Sequence, residues 1–331
     1  MHLERCMKAR TISAAILVTT TALAGCAPRV RATNATPLPA EKLAEIWQVP
    51  DDLSARDLFH GAGGASLAPG ADATYNWLAT DATGYSPGYD VRGADGRRWS
   101  VKLGPEAQTE VVASRVLWAL GYHQPPTYYV RGWQLSGGPG GRAIQDGARF
   151  RLESDDAEVV GEWSWEDNDF IGTQPYQGLI VANIFINSWD WKTSNNKIYR
   201  ITKDGTPVNR YVVRDLGASF GRTSPSRLLW ILPVRMRGFG QGSRNDIDGF
   251  EAQRFIKRFD ENTVEFDFHT IYGSVVDLVR PADVKWTVQL LNRVTDAQWD
   301  DAFRAADYRP EVRARFVKKI KAKIAEGLAV S

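Results

Sequence analysis

The segment INSWDWKTSNNKIYR, Ile186 to Arg200, puts an aspartate, a lysine, a serine and two asparagines directly after a very apolar run. The chain then returns to a strand-like pattern. Asp190 and Asn195 stand in the loop between, and Asp215 ends a later β-prone run at YVVRDLGASFG, where Gly217 is expected to permit the turn. Two oxygen ligands brought together by adjacent loops suit a hard dication that bridges phosphates, and a further carboxylate nearby can orient a hydroxyl. Cysteines occur only at Cys6 and Cys26, and the histidines His2, His60, His123 and His269 are scattered. Any metal is therefore expected to be oxygen-ligated, which favours magnesium, calcium or manganese over zinc.

The elements that must position these groups can be read around them. YQGLIVANIFIN, Tyr176 to Asn187, is apolar around nearly all of its circumference and so predicts a buried helix delivering the loop. NKIYRITKDGTPVNRYVVRD predicts a hairpin turning at Asp204-Gly205, which returns the chain to Asp215. Upstream, TYNWLATD alternates as a strand, and YDVRGADGRRWSVKLG predicts a second hairpin around Asp95-Gly96. A helix follows, with Pro105 at its first position, Glu106 in its first turn and a stop at Gly121. TYYVRGWQL and GARFRLES read as strands on either side of SGGPGGRA, which has no Lys-Ser/Thr helix start after it and is read as a hairpin loop. DGFEAQRFIKRF, RPADVKWTVQLLNRV, DAQWDDAFRAAD and RPEVRARFVKKIKAKIAEGL carry helical spacing. In the last of these, Val312, Phe316, Ile320 and Ile324 form one stripe, with Lys323 and its fellow cations mostly elsewhere. A basic helix facing lipid is the alternative to a core stripe with a solvated face. The pattern is α+β, a small strand-rich half followed by a larger helical half.

DWKTSN resembles the catalytic loop of protein kinases, D-L-K-P-E-N, at Asp190, Lys192 and Asn195, and DLG at Asp215 resembles their D-F-G metal motif. WSVKLG resembles the strand that carries their phosphate-binding lysine, here Lys102, and Glu110 resembles its ion-pair partner, with Glu106 as a rival one turn earlier. The ordered set resembles atypical kinases of the HipA-like and phosphoinositide-kinase-like groups. The resemblance implies a bilobal kinase-like fold that moves phosphate from ATP with Mg²⁺ to a hydroxyl acceptor. It implies that Lys102 contacts the α- and β-phosphates, Glu110 holds Lys102, Asp190 orients the hydroxyl, Lys192 neutralises the moving phosphoryl group, and Asn195 and Asp215 bind magnesium. In place of G-x-G-x-x-G, the loop ATGYSPG, with Gly84 and Gly88, would cover the phosphates; Ser188-Trp189 replaces the family's His-Arg. These departures leave a second expectation, an inactive pseudokinase-like binding or scaffolding module, and a third, a calcium site at the same carboxylates.

The first residues, MHLERCMKARTISAAILVTTTALAGC, have a basic head, an apolar run from Ile12 to Ala24 and small residues before a cysteine. This is a secretory signal, too short to span a bilayer. Leu23-Ala24-Gly25-Cys26 resembles the lipobox of bacterial lipoproteins, which implies cleavage before Cys26, diacylglycerol on its sulfur and, because Ala27 follows, an outer-membrane destination facing the periplasm. A compartment with little ATP favours the inactive reading. The expected layout is signal 1–25, flexible tether 26–50, strand-rich N-lobe 51–155 and helical C-lobe 156–331. With a formal net charge of +2, the chain carries no nucleic-acid footprint.

Overall fold

The computed structural model describes residues 37–82, 84–139, 141–223 and 242–330. The expected signal peptide, Cys26 and the first part of the tether lie outside them. Among the described residues, no helix is long and apolar enough to cross a membrane.

The chain is α+β and two-lobed. Strands β1 (Thr74–Asp81), β2 (Gly88–Arg92), β3 (Arg98–Lys102), β4 (Thr127–Val130), β5 (Trp133–Gly138), β6 (Gly141–Gln145) and β7 (Ala148–Glu153) form a seven-stranded sheet in the order β4-β7-β3-β2-β1-β5-β6. The β2–β3 turn is where Asp95-Gly96 places it: Gly96 takes φ +81°, and Asp95 Oδ1 accepts the Arg97 N–H at 3.0 Å. SGGPGGRA contributes a hairpin, but between β5 and β6; β7 instead crosses to pair with β3 and β4. On one face of this sheet Trp99 and Trp133 pack edge to face on Phe150, Tyr75 packs on it at a tilt, and Phe150 is fully buried.

The other face receives helix α2 (Glu106–Ala119), which packs on β4 and β7. Its C-terminus is a Schellman cap: Tyr122 N–H donates to Leu117 O and Gly121 N–H to Trp118 O, both at 3.0 Å. Gly121 has φ +98°, and a Cβ there would lie 2.0 Å from Gln48 O. The close approach packs the segment before position 50 against the end of α2. Residues Ala40–Leu43 form a short helix α1, Ile46 is fully buried, and Trp47 packs on Trp286 at 5.3 Å.

The second lobe is built on helix α3 (Gln174–Phe185), buried along almost its whole length as its apolar circumference requires. Beside it lies a three-stranded sheet of β8 (Ala157–Glu162), β9 (Asn196–Lys203) and β10 (Thr206–Val213) in the order β10-β9-β8. The β9–β10 turn uses Asp204 and Gly205 at φ +50° and +77°. β8 has no clear alternation to announce it; its exposed face reads as loop.

Helices α4 (Ile247–Ala252), α5 (Gly273–Val276), α6 (Pro281–Leu291), α7 (Asp296–Arg304) and α8 (Pro310–Leu328) complete the lobe. DGFEAQRFIKRF is not one helix. It stops at Ala252 and continues as β11 (Ile256–Phe259), paired with β12 (Val264–Phe266). Side-chain oxygens outcompete the helical period here: Glu326 Oε2 accepts both the Phe255 and Ile256 N–H groups at 3.1 Å, and Asp260 Oδ1 accepts those of Asn262 and Thr263 at 2.8 Å. In α8 the stripe of Phe316, Ile320 and Ile324 is core, not a lipid face. Lys323 departs from the expected solvated set. It is fully buried and donates to Phe185 O at 2.7 Å and Asn187 Oδ1 at 2.9 Å, with its Nζ 4.3 Å from the Phe250 ring centre.

Candidate active site

Three backbone hydrogen bonds zip together the two loops that carry the site: Arg214 N–H to Asn195 O at 2.8 Å, Trp189 N–H to Ala218 O at 3.2 Å and Phe220 N–H to Ile186 O at 2.8 Å. A side-chain bond adds order to the first loop, as Asn195 Nδ2 donates to Asp190 O at 2.8 Å. That leaves the Asn195 amide oxygen available as an acceptor or ligand. Asp190 Oδ2 holds Lys192 Nζ at 2.9 Å.

Asp215 itself takes the left-handed conformation, φ +53°, which aspartate tolerates better than most residues. The turn therefore does not depend on Gly217 for its backbone. Gly217 serves a different need: a Cβ on it would lie 2.5 Å from Glu106 Cβ, and its carbonyl accepts the Thr109 hydroxyl at 2.8 Å. The missing side chain lets the first turns of α2 sit against the Asp215 loop.

That approach brings both lobes to one point. Lys102 Nζ, from β3, touches Asp215 Oδ1 directly and lies 2.9 Å from Glu110 Oε2 and 3.6 Å from Glu106 Oε2. Glu110 is thus the main helical partner of Lys102. Glu106 turns elsewhere: Ser86 Oγ donates to it at 2.9 Å and Arg244 Nε lies 3.1 Å away. The cleft holds about 1000 Å³, and its lining includes Gly84, Lys102, Glu106, Asp190, Lys192, Asn195 and Asp215, with Glu110 buried behind Lys102. The residues singled out in the described sequence thus meet in one crevice.

The β1–β2 loop contributes Gly84, Tyr85 and Ser86 to the lining of the cleft. Gly84 has no steric need for glycine, since the nearest atom to an added Cβ is 3.7 Å away. Tyr85 spans the gap instead, its ring centre 3.8 Å from the Arg244 guanidinium.

Two arginines missed in the sequence dominate the inner wall. Arg149 Nε and Arg151 Nη1 lie 3.0 and 3.4 Å from Glu110 Oε1. Their signal was the alternation of ARFRLE, which sends Phe150 to one face of β7 and both arginines to the other. Arg214, adjacent to Asp215, joins them in the lining. Burial opposes the Glu110 charge, but Arg149, Lys102 and Arg151 prevail and hold its carboxyl far below the usual range. Burial likewise opposes protonation of Lys102, and Glu110 and Asp215 outweigh it, so the amine is held above its ordinary value. Arg149 is pushed down to about 10, by burial only partly offset by Glu110.

Asp215 and the Asn195 amide form a hard oxygen donor pair at the cleft, fitting a magnesium-class cation in donor chemistry. Among the described residues, no group of three or more His, Cys, Asp or Glu side chains is gathered in a metal-binding cluster.

No family model matches the sequence. No curated protein matches it either. Similar solved structures include the proinflammatory kinase CtkA of Helicobacter pylori, at 10% identity and TM-score 0.41, covering 79% of this chain and 95% of that one. The Golgi casein kinase with Mn/ADP bound is 8% identical, with TM-score 0.37 and coverage of 84% and 75%. Another structure of the Golgi casein kinase is 9% identical, with TM-score 0.36 and coverage of 80% and 76%.

Proposed function

We propose that this chain is an atypical kinase-like phosphotransferase that moves a phosphoryl group from a nucleotide, ATP by the sequence resemblance, to a hydroxyl acceptor. The observation that supports it is the meeting of Lys102, borne by the sheet lobe, with Asp215 of the helical lobe and Glu110 of α2 at one cleft. Lys102, held charged by Glu110, neutralises the donor's phosphates. Asp190 accepts the proton as the acceptor oxygen forms its bond to phosphorus, and the bond to the bridging oxygen breaks to release the nucleoside diphosphate. Lys192, on the same carboxylate, is placed to balance charge on the moving group. Asn195 and Asp215 would hold magnesium, which supplies charge neutralisation across neighbouring phosphate oxygens when bound. Such a reaction needs positioning and charge stabilisation more than covalent help from the protein.

The lipobox resemblance at Leu23 to Cys26 separately supports a place at the bacterial envelope, with the chain anchored through diacylglycerol on Cys26 and facing the periplasm. Cys26→Ala should release the chain from the membrane fraction; a chain that stays membrane-bound rules out this anchor.

Nucleotide with magnesium should raise the melting temperature of the purified chain through linkage, by an amount that grows with ligand concentration. Asp215→Ala should remove that rise. A rise without turnover, together with an Asp190→Ala variant that keeps its cellular role, would favour the inactive binding module.

A further inference from the structure

Opposite the Asp190 loop, the cleft ends in a wall of cations that phosphoryl transfer does not require. Arg149 and Arg151 are only 2% and 7% exposed, and they project from the face of β7 opposite Phe150. Ser100 organises them: its carbonyl accepts Arg149 Nη1 at 2.7 Å, and its hydroxyl accepts Arg151 Nη2 at 3.1 Å. Arg214 donates to the Tyr199 hydroxyl at 2.7 Å and has no carboxylate partner among the described residues.

The described lining of the cleft is rich in cations, with seven Lys and Arg side chains against four Asp and Glu. Glu110 lies against Lys102, Arg149 and Arg151, Asp215 and Glu106 also approach Lys102, and Glu153 reaches Arg151 only at its outer side, 3.4 Å from Nε. Buried cations in excess are costly unless an anion joins them, and guanidinium forks match the paired oxygens of phosphate and carboxylate. We propose that Arg149, Arg151, Arg214 and Ser100 form a subsite for an oxyanion, a phosphate or carboxylate carried by the molecule bound in the cleft. This deepens the reading above by giving the ligand a second anionic group. It depends on the cleft binding a ligand and not on turnover.

The probe is inorganic phosphate, titrated calorimetrically into the full chain without magnesium against chloride at matched ionic strength. Phosphate should bind, Arg214→Gln should weaken it at least about tenfold, and Asp215→Asn should not weaken it. If Arg214→Gln fails to fold by circular dichroism, Arg214→Lys, which keeps the charge and loses the fork, should weaken phosphate by a smaller factor. No phosphate binding by the unaltered chain overturns the subsite, as does binding equal in both arginine variants and the parent. Binding lost in Lys102→Gln but kept in Arg214→Gln also overturns it, by placing the anion at the lysine. Adenosine and adenosine 5′-monophosphate distinguish the source: monophosphate tighter than both phosphate and adenosine assigns the anion to a nucleotide, and phosphate equal to monophosphate assigns it to a separate ligand. A magnesium–nucleotide response that is absent while the phosphate response persists defeats the nucleotide reading and leaves the subsite standing.

Discussion

Glu110 Oε2 lies 2.9 Å from Lys102 Nζ, and Glu106, one turn earlier, lies 3.6 Å away. The difference separates two roles, because Glu110 also ion-pairs with Arg149, whereas Glu106 ties α2 to Ser86 and Arg244. Removing the Glu110 charge leaves buried cations without compensation, a loss on the order of 3–5 kcal/mol. Glu110→Gln should therefore lower the melting temperature sharply, and Glu106→Gln should lower it less. Equal losses in the two variants would contradict the assignment.

The Glu110 site also fixes a pH dependence. Its carboxyl, opposed by burial but dominated by Arg149, Lys102 and Arg151, titrates well below its unfolded value of 4.5. The folded state then binds fewer protons than the unfolded state, so this contribution is complete above the unfolded value and is lost as pH falls. Denaturant midpoints measured from pH 6 downward should fall in the parent chain. In Glu110→Gln that part of the slope should vanish.

Lys323 has the opposite chemistry at the other end of the same loop system. Burial depresses its pKa far below 10.5, with Lys319 adding to the effect. Stability from this group should rise with pH through the window between the depressed value and 10.5, where the unfolded chain binds the extra proton. Lys323→Met should flatten that rise. It should also expose its acceptors, Phe185 O and Asn187 Oδ1, to an unsatisfied burial of about 1–3 kcal/mol each. A variant whose stability keeps the parent's alkaline slope would show that Lys323 is not the titrating group.

The chain's two lobes were legible because they rest on local signals, the hairpin turns at Asp95-Gly96 and Asp204-Gly205 and the all-round apolarity of α3, whereas the convergence of Lys102 with Asp215 was legible only through the resemblance to kinase motifs. Arg149 and Arg151 were not, because an arginine on alternate positions of a strand has the same pattern whether its face meets solvent or a buried carboxylate from another element. Lys323 was hidden for a similar reason. Its acceptors are the end of α3 and Asn187, whose φ of +54° depends on contacts made far along the chain. The break after Ala252 was lost to capping carboxylates, Glu326 above all, whose partners are set by tertiary packing. Gly217 was singled out for the turn, but its function is the distance it permits between α2 and the loop.

That distance gives the last test. A methyl group at position 217 would meet Glu106 Cβ at 2.5 Å and Cγ at 3.0 Å, and the Cβ cannot leave without moving the backbone of α2. Gly217 does not need a positive φ, so Gly217→Ala changes the contact and little else in the backbone. Overpacking of this kind costs about 1–3 kcal/mol. Because α2 also carries Glu110, displacing its first turns should loosen the hold on Lys102. The expected outcome is a lowered melting temperature together with a weaker magnesium–nucleotide response. Gly121→Ala is the control: it disturbs the far end of α2, where a Cβ meets Gln48 O, so it should cost stability while leaving the nucleotide response of the folded fraction intact. If both variants lose stability and neither changes the nucleotide response, close packing at Gly217 supports the fold alone and has no part in setting the cleft.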